Sequence, residues 1–354
     1  MFKPIHTALT CFGMSGSVFH APLLSADKRF VLTKIVERNS EKSKQKYPAI
    51  VVVKSFEEIL EDKSIELVVV NTPNELHFEQ AKAVLEAGKH LILEKPATNF
   101  SWEVRLLMDI SKDKNLVFTV FQNRRWDSDF KTVKKIIENR LLGNLVSFES
   151  SYDRFRNYIA KNTWKEEKGV ASGLVYNLGS HLIDQALVLF GMPNSVTATI
   201  GTQRQSGQID DFFDITLDYQ ARNQGALVRL KSSYLVREPN PRFVLHGDLG
   251  SFVKYGLDSQ EEALNQGLIP NSPQWGAEES KFWGWLNTEL NGLHYKGQLT
   301  SLNGSYPDFY ENVYLAIREG NTLEVTPEQA YNTIKIIELA YQSNLERKTI
   351  ELKP

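Results

Sequence analysis

Two stretches of this chain have residue types and spacings suited to proton chemistry. The first is Glu94-Lys95-Pro96, which closes the apolar run Leu91-Ile92-Leu93. A lysine leaving the C-terminal end of a buried parallel strand points into the crevice where ligands of such folds bind. Desolvation or a neighbouring charge can tune its pKa there; the alternative is an ordinary solvated lysine. The second stretch, Gly173 to Asp184, contains Asn177, His181 and Asp184. On a helix, Asn177 and His181 are four residues apart and share a face, and Asp184 could orient the imidazole. His181 is a candidate general base because its unperturbed pKa lies near neutrality. Spacing alone leaves a purely structural histidine open.

Two further stretches suit a dinucleotide. Cys11-Phe12-Gly13-Met14-Ser15-Gly16 follows an apolar run near the N-terminus. It matches a G-x-G-x-x-G fingerprint with cysteine in place of the first glycine. Gly13 would let backbone approach a pyrophosphate, Gly16 would allow close helix–strand packing, and the amides at the helix start would face phosphate. Taken alone, the stretch could be a simple tight turn; its place between a strand and a helix favours the cofactor reading. About twenty residues on stands Glu37-Arg38. Glu37 is placed to accept from the adenosine ribose hydroxyls, which favours NAD. Arg38, with Lys42, Lys44 and Lys46 behind it, could instead pair with a 2′-phosphate, or the segment could be a solvated charged loop. The expectation leans to NAD and leaves NADP open.

These residues need a frame. Apolar, β-branched runs at Ile5–Cys11, Phe30–Val36, Leu67–Asn71, His90–Leu93 and Leu116–Phe121 alternate with helical periodicity, the pattern of a parallel sheet covered on both faces. Ser55 with Glu58 reads as a capping box, Glu75–Ala87 as a helix closed by Gly88, and Ser101 as the cap of another reaching about Lys114. After Asn123 the texture changes. A helix is expected over Asp127–Leu141, then alternating strands at Leu145–Tyr152, Ser195–Thr202, Asp211–Tyr219, Ala226–Tyr234 and Pro241–His246, the mark of an antiparallel sheet. Pro-, Gly- and Asn-rich stretches at Arg237–Pro241 and Gly267–Gly276 read as loops, and a last helix over Pro327–Arg347. The fold class is therefore α/β in two domains, residues 1–122 and 123–354, with the boundary near 121–126.

Composition narrows the partners. A net charge of −2 over 354 residues gives no basic field for nucleic acid or an anionic membrane. The single cysteine, Cys11, excludes an intrachain disulfide and suits a cytoplasmic protein. The first eleven residues show no signal peptide, and no apolar run approaches a bilayer span. The seven histidines do not cluster with cysteine or carboxylates in a metal-ligand pattern.

Taken together, Gly13-Met14-Ser15-Gly16-Ser17-Val18-Phe19-His20, Asn71-Thr72-Pro73 with His77, Glu94-Lys95-Pro96, Gln122-Asn123-Arg124-Arg125-Trp126 and Asn177-Leu178-Gly179-Ser180-His181 resemble the Gfo/Idh/MocA oxidoreductase family over essentially the whole chain. His246-Gly247 and Gly250–Gly256 are similar to a branch that includes NADP-dependent scyllo-inositol dehydrogenases. The resemblance implies a Rossmann domain followed by an α/β domain with an open, mostly antiparallel sheet that binds substrate and forms homo-oligomer contacts. It implies NAD or NADP as cofactor, a sugar or inositol substrate, and Lys95 and His181 as the catalytic pair. Thr72, Pro73, His77, Glu94 and Asn123 would border the cofactor, with Asn123 also near the substrate. Tyr152, Arg154 and Trp164 fall where the family lines its pocket, though ordinary packing explains them equally. Asn177 stands where many relatives carry aspartate; an amide binds a hydroxyl but cannot take its proton. Two alternatives stay open: a glycoside hydrolase that uses NAD transiently, and a non-enzymatic dinucleotide-binding regulator.

Overall fold

The computed structural model describes residues 3–161, 163, 166–219 and 225–352. The chain forms two compact units. The first comprises residues 1–126, 259–275 and 305–331; the second comprises 127–258, 276–304 and 332–354. The sequence reading divides the chain once, after residue 122. In the structure the first unit runs to Trp126, within the expected boundary region, and also takes back two later segments. One reason is the helix Pro307–Glu319, unread from sequence, whose Phe309, Tyr310 and Tyr314 are buried. Their rings meet Phe30 and Phe121 of the first unit edge-on or tilted, with centroids 4.9–6.1 Å apart.

Six strands build the first unit: β1 (Ile5–Leu9), β2 (Phe30–Val36), β3 (Val51–Val53), β4 (Leu67–Val70), β5 (His90–Leu93) and β6 (Phe118–Val120). Every pairing is parallel, in the order β3-β2-β1-β4-β5-β6. All four β4 side chains are fully buried, as expected for a strand covered on both faces. Because all six strands run the same way, the segments after β1, β2, β4, β5 and β6 emerge along one edge. The chain order reverses between β1 and β4, where doubly wound sheets bind ligands.

The capping box is realised: the Glu58 amide donates to Ser55 Oγ at 3.4 Å and the Ser55 amide to Glu58 Oε1 at 3.0 Å. The helix read from Glu75 is a 3₁₀ turn, Asn74–Leu76, leading into His77–Glu86, and Gly88 ends it at φ +76°. Ser101 is the first helical residue rather than the cap. Glu103 there takes the Asn99 and Phe100 amides, both at 3.0 Å.

The second unit carries a nine-stranded sheet of β7 (Leu145–Ser151), β8 (Ser195–Gly201), β9 (Phe212–Asp218), β10 (Leu227–Ser233), β11 (Phe243–Gly247), β12 (Gly250–Lys254), β13 (Gly284–Leu290), β14 (Leu293–Leu299) and β15 (Ile350–Glu351). Its order is β14-β13-β12-β11-β7-β10-β9-β8-β15. The β7–β10 pair is parallel and the other described pairs are antiparallel. Along β9, Phe213, Ile215 and Leu217 are fully buried while the residues between them are half-exposed, the period-two pattern of a sheet with one covered face. Among the described residues no helix is long and apolar enough to cross a membrane.

Candidate active site

The glycine turn is held by a residue of the neighbouring strand end. Asn71, 5% exposed, accepts from the Cys11 amide at 3.1 Å and from the Thr10 hydroxyl at 3.3 Å. Its Nδ2 donates to the Cys11 carbonyl at 2.9 Å and reaches Ser15 Oγ at 3.4 Å. A Cβ on Gly16 would collide with the Cys11 carbonyl oxygen and lie 2.9 Å from Asn71 Nδ2, so the close approach requires glycine. Position 11 does not: Cys11 is not among the described residues with positive φ, and its sulfur accepts the Gly13 amide at 3.1 Å. Gly13 and Met14 face solvent at the tip. Asn71, absent from the residues singled out by sequence as cofactor contacts, organises the turn that carries them.

Glu37 does something other than expected. It is 6% exposed and bends back into its own loop. It accepts from the hydroxyls of Ser40 and Ser43, from the Lys42 amide at 3.0 Å and from the Ser43 amide at 2.8 Å. Burial pushes its pKa up, but these four donors outweigh it and the net shift is downward. A carboxylate offers about four lone-pair directions, and all are taken. In this arrangement the donors that meet the carboxylate come from its own loop. Lys54 Nζ closes the loop from outside, 3.3 Å from both the Glu37 and Ser40 carbonyl oxygens. Arg38 and Lys42 stay exposed and, among the described residues, have no ion-pair partner.

At the end of β5, Glu94 and His77 also turn inward. Glu94 is 8% exposed, with Oε1 3.0 Å from His20 Nε2 and Oε2 accepting the Lys95 amide at 2.9 Å. His77 is 1% exposed, its Nδ1 2.9 Å from the Pro96 carbonyl oxygen and its Nε2 2.9 Å from that of Thr72. Burial holds its pKa below the ordinary value despite those carbonyls. The ring therefore clips the β4 loop to the Glu-Lys-Pro turn, with both nitrogens occupied by backbone. Thr72 donates from its hydroxyl to Gln80 Oε1 at 2.8 Å, and Pro73 is exposed. Lys95 is half-buried at the same sheet edge, and Asn123, in the 3₁₀ turn after β6, is 5% exposed.

In the second unit, Asn177 and His181 do not sit on one regular α-helix. Val175–Gly179 is a π turn, and the α-helix begins at Ser180 and runs to Phe190; such wide turns recur at functional sites. Asp210 seats this turn. Its Oδ2 accepts the Val175 amide at 2.9 Å, its main-chain oxygen the Leu174 amide at 2.9 Å, and its Oδ1 the Tyr341 hydroxyl at 2.7 Å. Burial raises the Asp210 pKa against those bonds. Gly173, at φ +96°, passes so close that a Cβ would strike the Asp210 carboxylate. Asn177 is half-exposed with Nδ2 3.5 Å from Tyr234 Oη, whereas His181 and Asp184 are 4% and 2% exposed. Tyr234 was not singled out by sequence, and neither was Arg204, whose guanidinium lies 4.8 Å from its ring centroid. Arg204 is clamped by Glu166 and Asp211 at 2.7 and 2.8 Å. Tyr152 is 2% exposed and flanked by the guanidiniums of Arg154 and Arg242, 5.6 and 5.4 Å from its centroid. Trp164 lies outside the described residues.

Residues 5–122 match a family described as the oxidoreductase family, NAD-binding Rossmann fold, and residues 134–352 match its C-terminal alpha/beta domain. The chain is 41% identical to the NADP(+)-dependent scyllo-inositol 2-dehydrogenase IolW of Bacillus subtilis, covering 99% of this chain and 96% of that one. Among solved structures, an oxidoreductase from Bacteroides fragilis superposes with a TM-score of 0.92 at 47% identity, covering 99% of this chain and 100% of the other. The oxidoreductase yvaA of Bacillus subtilis gives 0.94 at 39% identity, covering 100% and 99%.

Proposed function

Because this chain belongs to the Gfo/Idh/MocA family of oxidoreductases, we propose that it reversibly oxidises a secondary alcohol of a cyclic polyol or sugar, using NADP in preference to NAD. The reaction class rests on Lys95 standing at the ligand-binding edge of a parallel sheet, fixed by Glu94 beside a glycine turn. The substrate class rests on likeness to an inositol dehydrogenase. The cofactor preference rests on Glu37, whose carboxylate is consumed by its own loop while Arg38 and Lys42 stand exposed beside it.

The dinucleotide, when bound, supplies the hydride acceptor, and the close-packed turn from Cys11 to Gly16 fits its pyrophosphate. The protein's own residues do the rest. Lys95, as an ammonium, donates to the substrate oxygen and stabilises negative charge as it develops there. His181 takes the hydroxyl proton. Asn177 can bind a neighbouring hydroxyl but cannot accept its proton, which leaves that task to His181.

A panel of inositols, aldoses and uronates assayed at 340 nm with NADP and NAD tests this. NADP reduction with at least one inositol or sugar, lost by more than about a hundredfold in Lys95→Ala and in His181→Ala, is the expected result. Turnover near wild type in Lys95→Ala would refute the assignment.

A further inference from the structure

Behind Lys95 runs a chain of buried polar groups that the reaction above does not use directly. Glu94 contacts His20 through one oxygen and the Lys95 amide through the other. His20, wholly buried, has its Nδ1 2.6 Å from the hydroxyl oxygen of Tyr310, itself 1% exposed. Three separate elements supply these groups: the turn Gly16–His20, the end of β5 and the helix Pro307–Glu319.

Donor accounting sets the protonation pattern. An ionised carboxylate only accepts, so the His20 nitrogen facing Glu94 carries the proton. The Nδ1 of the neutral ring is then a lone pair, and the Tyr310 hydroxyl donates to it. With a neutral imidazole each bond is satisfied and the full negative charge stays on Glu94; a protonated ring would keep the bond to Glu94 and add its charge to it. The titratable groups in electrostatic reach of Glu94 include, among the described residues of this unit, His20, Lys95, His77 on the helix His77–Glu86, and Tyr310.

We propose that Tyr310, His20 and Glu94 form a positioning relay that fixes the Lys95 main chain and keeps an anion beside it, so that Lys95 works as an ammonium rather than a neutral amine. The proposal rests on the assignment of Lys95 to the substrate oxygen. Burial by itself pushes the Glu94 carboxyl up. The His20 bond and charge, then the Lys95 charge and amide, reverse this, and the net shift is downward. Without the His20 N–H, the buried carboxyl takes up a proton and Lys95 loses its neighbouring anion. Tyr310 acts one step further back, holding His20 in the tautomer that donates to Glu94. Its own pKa is pushed well up by burial and by Glu94, which keeps its hydroxyl proton in place.

Competitive acetylation read by mass spectrometry gives the Lys95 amine pKa in the protein without cofactor or substrate. His20→Gln offers an N–H to Glu94 and a carbonyl to Tyr310 and cannot ionise, so it should keep the wild-type value. His20→Leu and the near-isosteric Glu94→Gln should lower it by about one unit or more, and Tyr310→Phe by less. The alkaline limb of kcat/KM should move in the same order. A Lys95 pKa equal in all four variants, or His20→Gln matching His20→Leu, overturns the relay. Near-normal turnover by Lys95→Ala overturns the assignment of Lys95 instead, even where the pKa order holds.

Discussion

Replacing Glu37 and Arg38 separately should distinguish a residue that builds the cofactor loop from one that reads the cofactor. Glu37 receives four hydrogen bonds, two from serine hydroxyls and two from backbone amides at 2.8 and 3.0 Å. Bonds to a charged group contribute about 1.5–3 kcal/mol each, but four donors sharing one carboxylate do not add. Loss of a carboxylate cap on a helix start costs about 0.5–2 kcal/mol by itself. Glu37→Ala should therefore lose about 2–4 kcal/mol in urea unfolding and weaken NADPH and NADH alike, because the loop carrying Arg38 and Lys42 is no longer held. Arg38→Ala should leave stability unchanged, weaken NADPH by about 10–100-fold, and leave NADH within about twofold. Dinucleotide fluorescence titration reads both affinities. Added salt should weaken NADPH more than NADH, since the extra attraction is between exposed charges. If Glu37→Ala weakened NADH selectively, tightened NADPH and kept full stability, the carboxylate would be facing the ribose and the reasoning would fail.

Other consequences can be measured more briefly. Gly16→Ala forces a Cβ onto the Cys11 carbonyl and Asn71; it should weaken both dinucleotides more than tenfold by the same titration. Asp210→Ala strands the Val175 amide and the Tyr341 hydroxyl, at about 1–3 kcal/mol for each buried group. Hydrogen exchange over Leu174–Gly179 should speed up and kcat should fall. Glu37 and Glu94 both have folded pKa values below the ordinary 4.5. Their stabilisation is complete above that unfolded value and is lost as pH falls through the folded one. Glu94→Gln should accordingly lower stability at pH 7 and flatten the acid limb of unfolding free energy below about pH 5.

Where apolar patterning decided the structure, the sequence was readable. β2 and β5 coincide with the apolar runs Phe30–Val36 and His90–Leu93, and alternation placed β7 to β11 within about two residues. β14 was invisible because nearly all of its residues are exposed on both faces, which removes the alternation. β3 and β15 are too short to carry a period. The helix Pro307–Glu319 did leave a signal, proline in its first turn and Gly320 at φ +73° after its last. Its membership of the first unit is nonetheless a tertiary fact. Candidate site residues could be chosen from sequence by type and place, but their orientation could not be read there. Whether Glu37 faces a ribose depends on Ser40 and Ser43 offering hydroxyls three and six residues on. His20 stood in a motif without a role because its partner Tyr310 is 290 residues away. The periodicity that put Asn177 and His181 on one α-helical face missed the π turn, since a widened turn has no pattern of its own.

The inward-facing residues share a logic that bears on how variants should be interpreted. Glu37, His77, Glu94 and Asp210 each direct side-chain atoms to backbone groups or to buried partners. Glu37, His77 and Glu94 lie within five residues of positions assigned to ligand chemistry, Arg38, Thr72 and Lys95, and Asp210 is bonded to the turn that carries Asn177. A buried polar or charged group is tolerated only when its hydrogen-bonding capacity is met, so these groups fix their loops strongly, and their neighbours inherit the geometry. Loss of activity in a Glu94 variant would therefore not show that Glu94 touches substrate. The informative comparison is between kcat and dinucleotide KM in Glu94→Gln and Lys95→Ala. A positioning role predicts that Glu94→Gln lowers kcat along a displaced pH profile, recovering part of the rate at lower pH, where Lys95 is again an ammonium. Lys95→Ala should recover nothing at any pH, because the ammonium itself is gone.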